Sequence, residues 1–253
     1  MNSIAMPDVK NYLDQYLRVH EFNETAINGL QVQGKKNIAK IGFAVDACVA
    51  SFLAANKANV DLLVVHHGLF WGQEQALVGS HYARIRTLIE SEINLYAAHL
   101  PLDAHPEIGN NAQLALALGL EIDMYFGDFR GTPIAVLGRS EEKITAKQLE
   151  TKLCAAIGSH VRLDAFGPKE FRHVGICSGA GASLIPEAKT IGAAAFITGE
   201  PRQGFYHFAK EEGMHVLYGR HYDTETIGLK ALAGHMQEIF QVETEFFDIP
   251  TQI

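Results

Sequence analysis

The sequence predicts an α/β fold made of two structural repeats with largely parallel pairing, and three observations carry that expectation. Short β-rich runs alternate with helical stretches almost to the end of the chain. The phrase from Asn94 to Asp103 can be laid over the segment from His215 to Glu225 at an offset of 122, which pairs Leu95 with Leu217, Tyr96 with Tyr218, His99 with His221 and Asp103 with Glu225. Upstream of each copy the pattern also repeats. Ile41-Gly42-Phe43, a helix and then Leu62 to Gly68 have their counterpart in Val174-Gly175-Ile176, a helix and then Ala194 to Glu200, and there an offset of 133 sets Glu200 opposite His67. Strands separated by helices of this length favour βαβ units.

Taken in order, the pattern gives a helix over Asp8 to Val19, a strand over Lys40 to Val45, a helix over Cys48 to Lys57 and a strand over Asp61 to Val65. A helix over His81 to Glu90 and a strand over Ile93 to Ala98 follow. The middle of the chain reads as helix Asn110 to Leu118, strand Ile134 to Leu137 and helix Ala146 to Ile157. Then come strand Phe171 to Cys177, helix Ile185 to Ile191, strand Ala194 to Thr198, helix Tyr206 to Glu212 and strand Met214 to Tyr218. Helix Thr226 to Phe240 and strand Val242 to Phe247 complete the series. The repeats are taken as residues 1–128 and 129–253, joined near Gly127 to Gly131 with no long polar linker, so they should form one compact unit.

At 253 residues and 47% hydrophobic content the chain can build substantial cores without covalent staples. Its three cysteines, Cys48, Cys154 and Cys177, are far apart and odd in number, which fits neither a disulfide framework nor a thiolate zinc site. We read them as reduced core residues. The stretch from Met1 to Leu17 lacks a basic leader and an apolar h-region, and no segment approaches the ~18 consecutive apolar residues of a membrane span. The expectation is a cytoplasmic protein that does not enter membranes. With 21 basic against 29 acidic residues the formal charge is −8, which disfavours nonspecific nucleic-acid binding. A single nucleotide is not excluded, because a bound metal supplies local positive charge.

The chemistry-bearing residues cluster just after apolar strands. His66-His67 ends the apolar run from Val60 to Val65, where alternation along a strand should turn the two rings apart and let them serve two metals; the plainer reading is two strand-end imidazoles bonded to backbone or water. His99 and Asp103 are four apart, but Pro101 argues against a helix and for a loop. Thr224 reads as an N-cap, so that Glu225 would open the last helix near its positive end, where a carboxylate stays ionised. For either acid the alternative is a cap or a solvated group. Imidazole and carboxylate without thiolate suit Zn, Mn, Fe, Co or Ni. Ser178 to Ser183 resembles half of a dinucleotide fingerprint, but Leu184 stands at its third position, so a tight strand-to-helix turn competes with a phosphate cradle. Glu200 and His207 either line the site or sit on the surface.

Taken together, Asn28-Gly29-Leu30-Gln31-Val32, His66-His67-Gly68-Leu69-Phe70-Trp71, His99-Leu100-Pro101-Leu102-Asp103 with Asn110-Asn111, Thr198-Gly199-Glu200, and His221 with Thr224-Glu225 resemble the GTP cyclohydrolase 1 type 2 homologues, the interacting-factor-three-like dinuclear metal proteins. The resemblance runs along nearly the whole chain. It implies two intertwined α/β repeats with mixed β-sheets, a metal site between them holding two divalent ions per chain, and a toroidal homohexamer built from dimers. It assigns His66, His67, Asp103, His221 and Glu225 as metal ligands, with Glu225 as the bridge; the internal repeat adds His99 as a sixth inward-facing group, which we place beside the metals. Gly68 stands where many relatives have Pro. Longer relatives carry an inserted domain between the halves, for which this chain has no room. The implied activity is that of a dinuclear metal-dependent hydrolase acting on a nucleotide or similar small molecule; in the cyclohydrolase version the guanine ring opens at C8 and formate is lost, with His99 or Glu200 moving protons. The competing class is a non-catalytic metal-handling or partner-binding protein.

Overall fold

The computed structural model describes residues 3–253; Met1 and Asn2, which open the N-terminal stretch read above, lie outside the described residues. The chain divides into two compact units, one of residues 1–102 with 229–249 and one of residues 103–228 with 250–253. In chain order the first unit contains β1 (Ile4–Ala5), α1 (Met6–Tyr16), β2 (Gly29–Val32), β3 (Asn37–Ile38), β4 (Lys40–Asp46), α2 (Val49–Lys57), β5 (Leu62–His67), α3 (Gly79–Glu90) and β6 (Asn94–Ala97). A one-turn helix α4 (Leu100–Asp103) falls at the division. The second unit continues with α5 (Asn110–Leu118), β7 (Leu120–Phe129), β8 (Thr132–Ile144), α6 (Ala146–Ile157), β9 (Arg162–Asp164), β10 (Phe171–Ile176), α7 (Ile185–Thr190), β11 (Ala195–Thr198), α8 (Gln203–Glu211) and β12 (His215–Tyr218). Helix α9 (His221–Phe240) belongs to the second unit up to Gly228 and to the first beyond it, and β13 (Glu243–Phe246) returns to the first.

The first unit's main sheet has the order β13-β4-β5-β6-β2, parallel except for the last pair. The second unit's sheet has the order β7-β8-β10-β11-β12-β9, in which the two pairs β10-β11 and β11-β12 are parallel and the flanking pairs antiparallel. The sheets are thus mixed, with the βαβ units in their centres. Central strands read as unbroken apolar runs because both faces are covered. In β11, Ala195 and Ile197 join the core with Leu114, Leu149 and Leu153, while Phe196 joins the other with Ile185, Ala188 and Ala209. Helix α6 starts where Thr145 and Gln148 cap each other and stops at Gly158 with φ +69°.

Several sequence expectations are corrected. The strand expected over residues 134–137 is the 13-residue β8, paired with β7, for which the sequence reading has no element at all. The segment 127–131 is where that hairpin turns, between Phe129 and Thr132. Helix α9 begins at His221, not at Thr226, so Thr224 lies inside it: its Oγ1 donates to the Arg220 and His221 carbonyls and it does not cap the helix. The loop expected after His99 includes the turn α4, because Pro101 occupies its first turn, where the missing N–H is not needed.

Candidate metal centre

In the first unit, β5 lies between β4 and β6 and delivers His66 and His67 at its C-terminal end, as parallel strands deliver functional side chains. His66 is fully buried and His67 partly so. Instead of parting to opposite faces, the rings stay together, with centroids 4.6 Å apart and planes tilted by 50°. Their Nδ1 atoms lean to opposite neighbours: His66 Nδ1 donates to the Ala98 carbonyl at 2.9 Å and His67 Nδ1 to Asp46 Oδ1 at 2.9 Å. Gly68 lets the chain turn here, since a Cβ would collide with the Gln31 side chain and sit 2.7 Å from the Ala97 Cβ. Gln31 in turn accepts from the Leu69 N–H at 2.7 Å.

His99 follows β6, its ring 5.1 Å from that of His66 and 5.6 Å from that of His67. One ring nitrogen from each of the three lies within 4.8 Å of the others, a group that could hold a metal. His99 Nδ1 lies 2.5 Å from Glu24 Oε2. Trp71 sets its ring edge-on at 5.1 Å from His99.

In the second unit, Asp103 is buried at the end of α4 and its Oδ1 accepts from Asn110 Nδ2 at 2.8 Å and Ser178 Oγ at 3.0 Å. The pair Asn110-Asn111 ties this region together, since Asn111 Oδ1 takes the Ser178 N–H at 2.8 Å and Asn110 Oδ1 takes the Gly228 N–H at 2.9 Å. His221 and Glu225 stand one turn apart on α9, with Nε2 to Oε1 at 3.0 Å, and Glu200 Oε1 meets His221 Nδ1 at 2.5 Å. A carboxylate oxygen of Asp103 lies within 4.8 Å of one of Glu225, which is 3% exposed. Burial alone would lower the His221 pKa, but the Glu225 and Glu200 carboxylates on its two nitrogens prevail and raise it to about 9. Burial pushes the Cys177 thiol well up, and Asp103 and Glu225 push it further.

The turn after β10 is not a phosphate cradle. The Ser178 and Gly179 N–H groups are taken by Asn111 Oδ1 and Thr224 Oγ1, and the Gly179 carbonyl accepts from the Gly199 and Glu200 amides and from Thr198 Oγ1. Gly179, at φ +59°, has no room for a side chain: a Cβ would strike Glu225 Oε1 and lie 3.1 Å from His221 Nε2. Of the two uncertain residues, Glu200 holds the His221 ring and His207 is exposed on α8. Glu24 and Asp46 are added by the structure, as the partners of His99 and His67. The signal for Asp46 was present, an acid ending a strand beside the one that ends in His66-His67; for Glu24 it was only the four-residue spacing to Asn28.

The donor chemistry fits divalent transition metals. In the first unit His66 and His67 each commit Nδ1 to an oxygen, which fixes the ring and makes Nε2 the nitrogen that could face a metal, and in the second unit Asp103 and Glu225 offer buried carboxylates. No helix among the described residues is long and apolar enough to cross a membrane.

A protein of Deinococcus radiodurans named GTP cyclohydrolase 1 type 2 homolog is 39% identical over 98% of this chain and 94% of its own length. The protein of the same name from Pyrococcus abyssi is 41% identical over 96% and 98%, and that from Escherichia coli K12 is 36% identical over 96% and 97%. Among solved structures, TTHA1606 from Thermus thermophilus superposes with a TM-score of 0.90 at 42% identity, covering 99% of this chain and all of that one. Protein ybgI, described as of unknown function, gives 0.92 at 34% identity over 99% of this chain and all of its own. With the Duf34/NIF3 (NGG1p interacting factor 3) family model matching residues 4–252, the chain belongs to that family.

Proposed function

We propose that this chain is a dinuclear metal-dependent hydrolase acting on a nucleotide or a similar small molecule, with His66, His67, Asp103, His221 and Glu225 holding two divalent ions of Zn, Mn, Fe, Co or Ni. The observation that carries the reading is the shared treatment of the histidines: the Nδ1 atoms of His66, His67 and His221 meet a backbone carbonyl, Asp46 and Glu200. Such partners orient an imidazole and raise the basicity of its other nitrogen. When bound, the metal pair supplies an activated water at neutral pH and polarises the group under attack. The chain's residues do the rest. Asn110 and Ser178 aim Asp103, Glu200 steadies His221, Glu225 offers two oxygens with which to bridge, and His99 moves a proton at the edge of the cluster.

The relatives' printed name supports a nucleotide substrate. Residues 1–128 and 129–253 are proposed as the two repeats, and a cytoplasmic homohexamer as the working form; exposed Leu53, Leu77, Val78 and Ile89 support assembly. Elemental analysis after metal reloading, followed by a screen of nucleotides and phosphoesters, tests the reading. About two ions per chain and turnover of a nucleotide are expected. A reproducible value near one ion counts against the pair, and full loading without turnover of any compound moves the protein to the metal-handling class. Light scattering checks the hexamer, which a stable monomer would exclude.

A further inference from the structure

Glu24 sits in the segment between α1 and β2 with its side chain only 4% exposed. Oε2 lies 2.5 Å from His99 Nδ1, while Oε1 accepts from Asn28 Nδ2 at 2.8 Å and from the Leu100 N–H at 3.2 Å. Asn28 is itself fixed, because its Oδ1 accepts the His99 N–H at 2.8 Å. One buried carboxylate thus gathers two N–H donors on one oxygen and turns the other on the imidazole. An ionised carboxylate only accepts, so the ring must bring a proton on Nδ1, and a neutral ring with its proton there has its lone pair on Nε2.

We propose that Glu24, held by Asn28, is a positioning residue that sets the His99 tautomer, so that His99 presents an Nε2 lone pair and not an N–H to the reacting groups. The catalytic consequence rests on the reading of His99 as proton carrier given above; the tautomer itself does not. The assignment also explains why Asn28 opens the Asn28-Gly29-Leu30-Gln31-Val32 motif. A one-atom change should invert the ring. In Glu24→Gln the amide oxygen has to face the Asn28 and Leu100 donors, which leaves the NH2 facing Nδ1; Nδ1 must then accept, and the proton moves to Nε2.

The experiment uses the full chain, metal-free and labelled with 15N histidine, in long-range proton–nitrogen correlation spectra, with His99 assigned by its loss in His99→Ala. Wild type should show His99 protonated on Nδ1, Glu24→Gln should show it protonated on Nε2 with the other rings unchanged, and Glu24→Asp should restore the Nδ1 form. An Nε2–H in wild type, or an unmoved Nδ1–H in Glu24→Gln, overturns the proposal. If Glu24→Gln does not fold, the wild-type and Glu24→Asp spectra decide it. On the metal-loaded protein, Glu24→Gln should keep metal content and KM and lose ~10²-fold in kcat. Unchanged kcat with an inverted ring overturns the catalytic consequence. Failure of the hydrolase reading leaves the spectra standing, so the two failures are distinguishable.

Discussion

The phrase that occurs twice in this sequence folds in two ways. In the second copy, His221 and Glu225 lie on one continuous helix and face each other at 3.0 Å. In the first, His99 precedes a four-residue helix and Asp103 ends it, so the same four-residue spacing produces no such pair: His99 turns to Glu24, and Asp103 to Asn110 and Ser178. Pro101 fits the first turn of the short helix, which stops at Asp103, whereas the helix of the second copy continues to Phe240. The strands feeding the two copies differ in a related way. Asn94 pins its strand by donating to the carbonyls of Lys35 and Asp61, whereas His215, at the start of the other, accepts from the Gly167 N–H and meets the Pro168 carbonyl. A repeat can therefore retain its residue types while changing the partners of each residue between copies.

The largest effect should come from breaking the second copy. Glu225→Gln removes the carboxylate proposed as the bridge, and we expect both metal sites to weaken by more than ~100-fold, whereas His66→Ala should mainly weaken one. Metal titration of the two apo variants separates them; equal loss of a single site in both would sink the bridging role. Next, Gly179→Ala should cost about 2–4 kcal/mol, combining left-handed strain with a collision against Glu225. Thermal and urea unfolding measure it, and a cost near zero would mean that Glu225 can step aside. In the first copy, His99→Ala should retain most bound metal and lose ~10²-fold in turnover; loss of one metal equivalent on the same preparation would make His99 a ligand, as its place beside His66 and His67 permits.

The smallest effect lies beneath the first copy, at Asp61. Burial tends to raise its pKa, but Lys35 at 2.7 Å and the Ala39 and Lys40 amides outweigh it, and the net shift is downward. A depressed carboxylate pKa stabilises the fold above the unfolded-state value and ceases to do so as pH falls through the folded value. Asp61→Asn should accordingly destabilise by about 1–2 kcal/mol at neutral pH, with the gap from wild type closing in acid. Urea titrations across that range check the sign; a gap that widens in acid would be inconsistent with it.

The fold was legible where one face or both faces of an element carry a regular apolar period. Central strands such as Lys40–Asp46 and Phe171–Ile176, and helices with clear stops such as Ala146–Ile157 before Gly158, lie within a residue of their expected bounds. The hairpin of β7 and β8 went unread although Leu120, Ile122, Met124 and Phe126 alternate with Glu121, Asp123 and Tyr125 at the period of a strand, because this run follows directly on α5 with only Gly119 between them. The start of α9 was misplaced because Thr224 satisfies a cap pattern, while the structure uses its hydroxyl inside the helix. Of the site, the histidines and acids that fall in groups able to hold a metal were readable from strand ends. Asp46 could have been read from its strand end beside His66-His67, whereas Glu24 could not, since nothing in the order of residues tells that an acid 75 positions away will meet His99.

The order in which the chain is synthesised gives the division of units a further meaning. The second unit is continuous from residue 103 to 228 apart from its last four residues, whereas the first needs β13, whose partner β4 was made some 200 residues earlier. Until residue 243 has left the ribosome, β4 has an open edge with unmet amides and carbonyls, the kind of surface that recruits stray strands. The charged pair that closes this edge is itself split across the chain, Lys40 on one strand and Glu243 with Glu245 on the other, at 2.6 and 2.8 Å. Nascent chains truncated before β13 should accordingly be the chaperone-dependent and aggregating species, and the finished first unit should be the last part of the molecule to acquire protection from proteases.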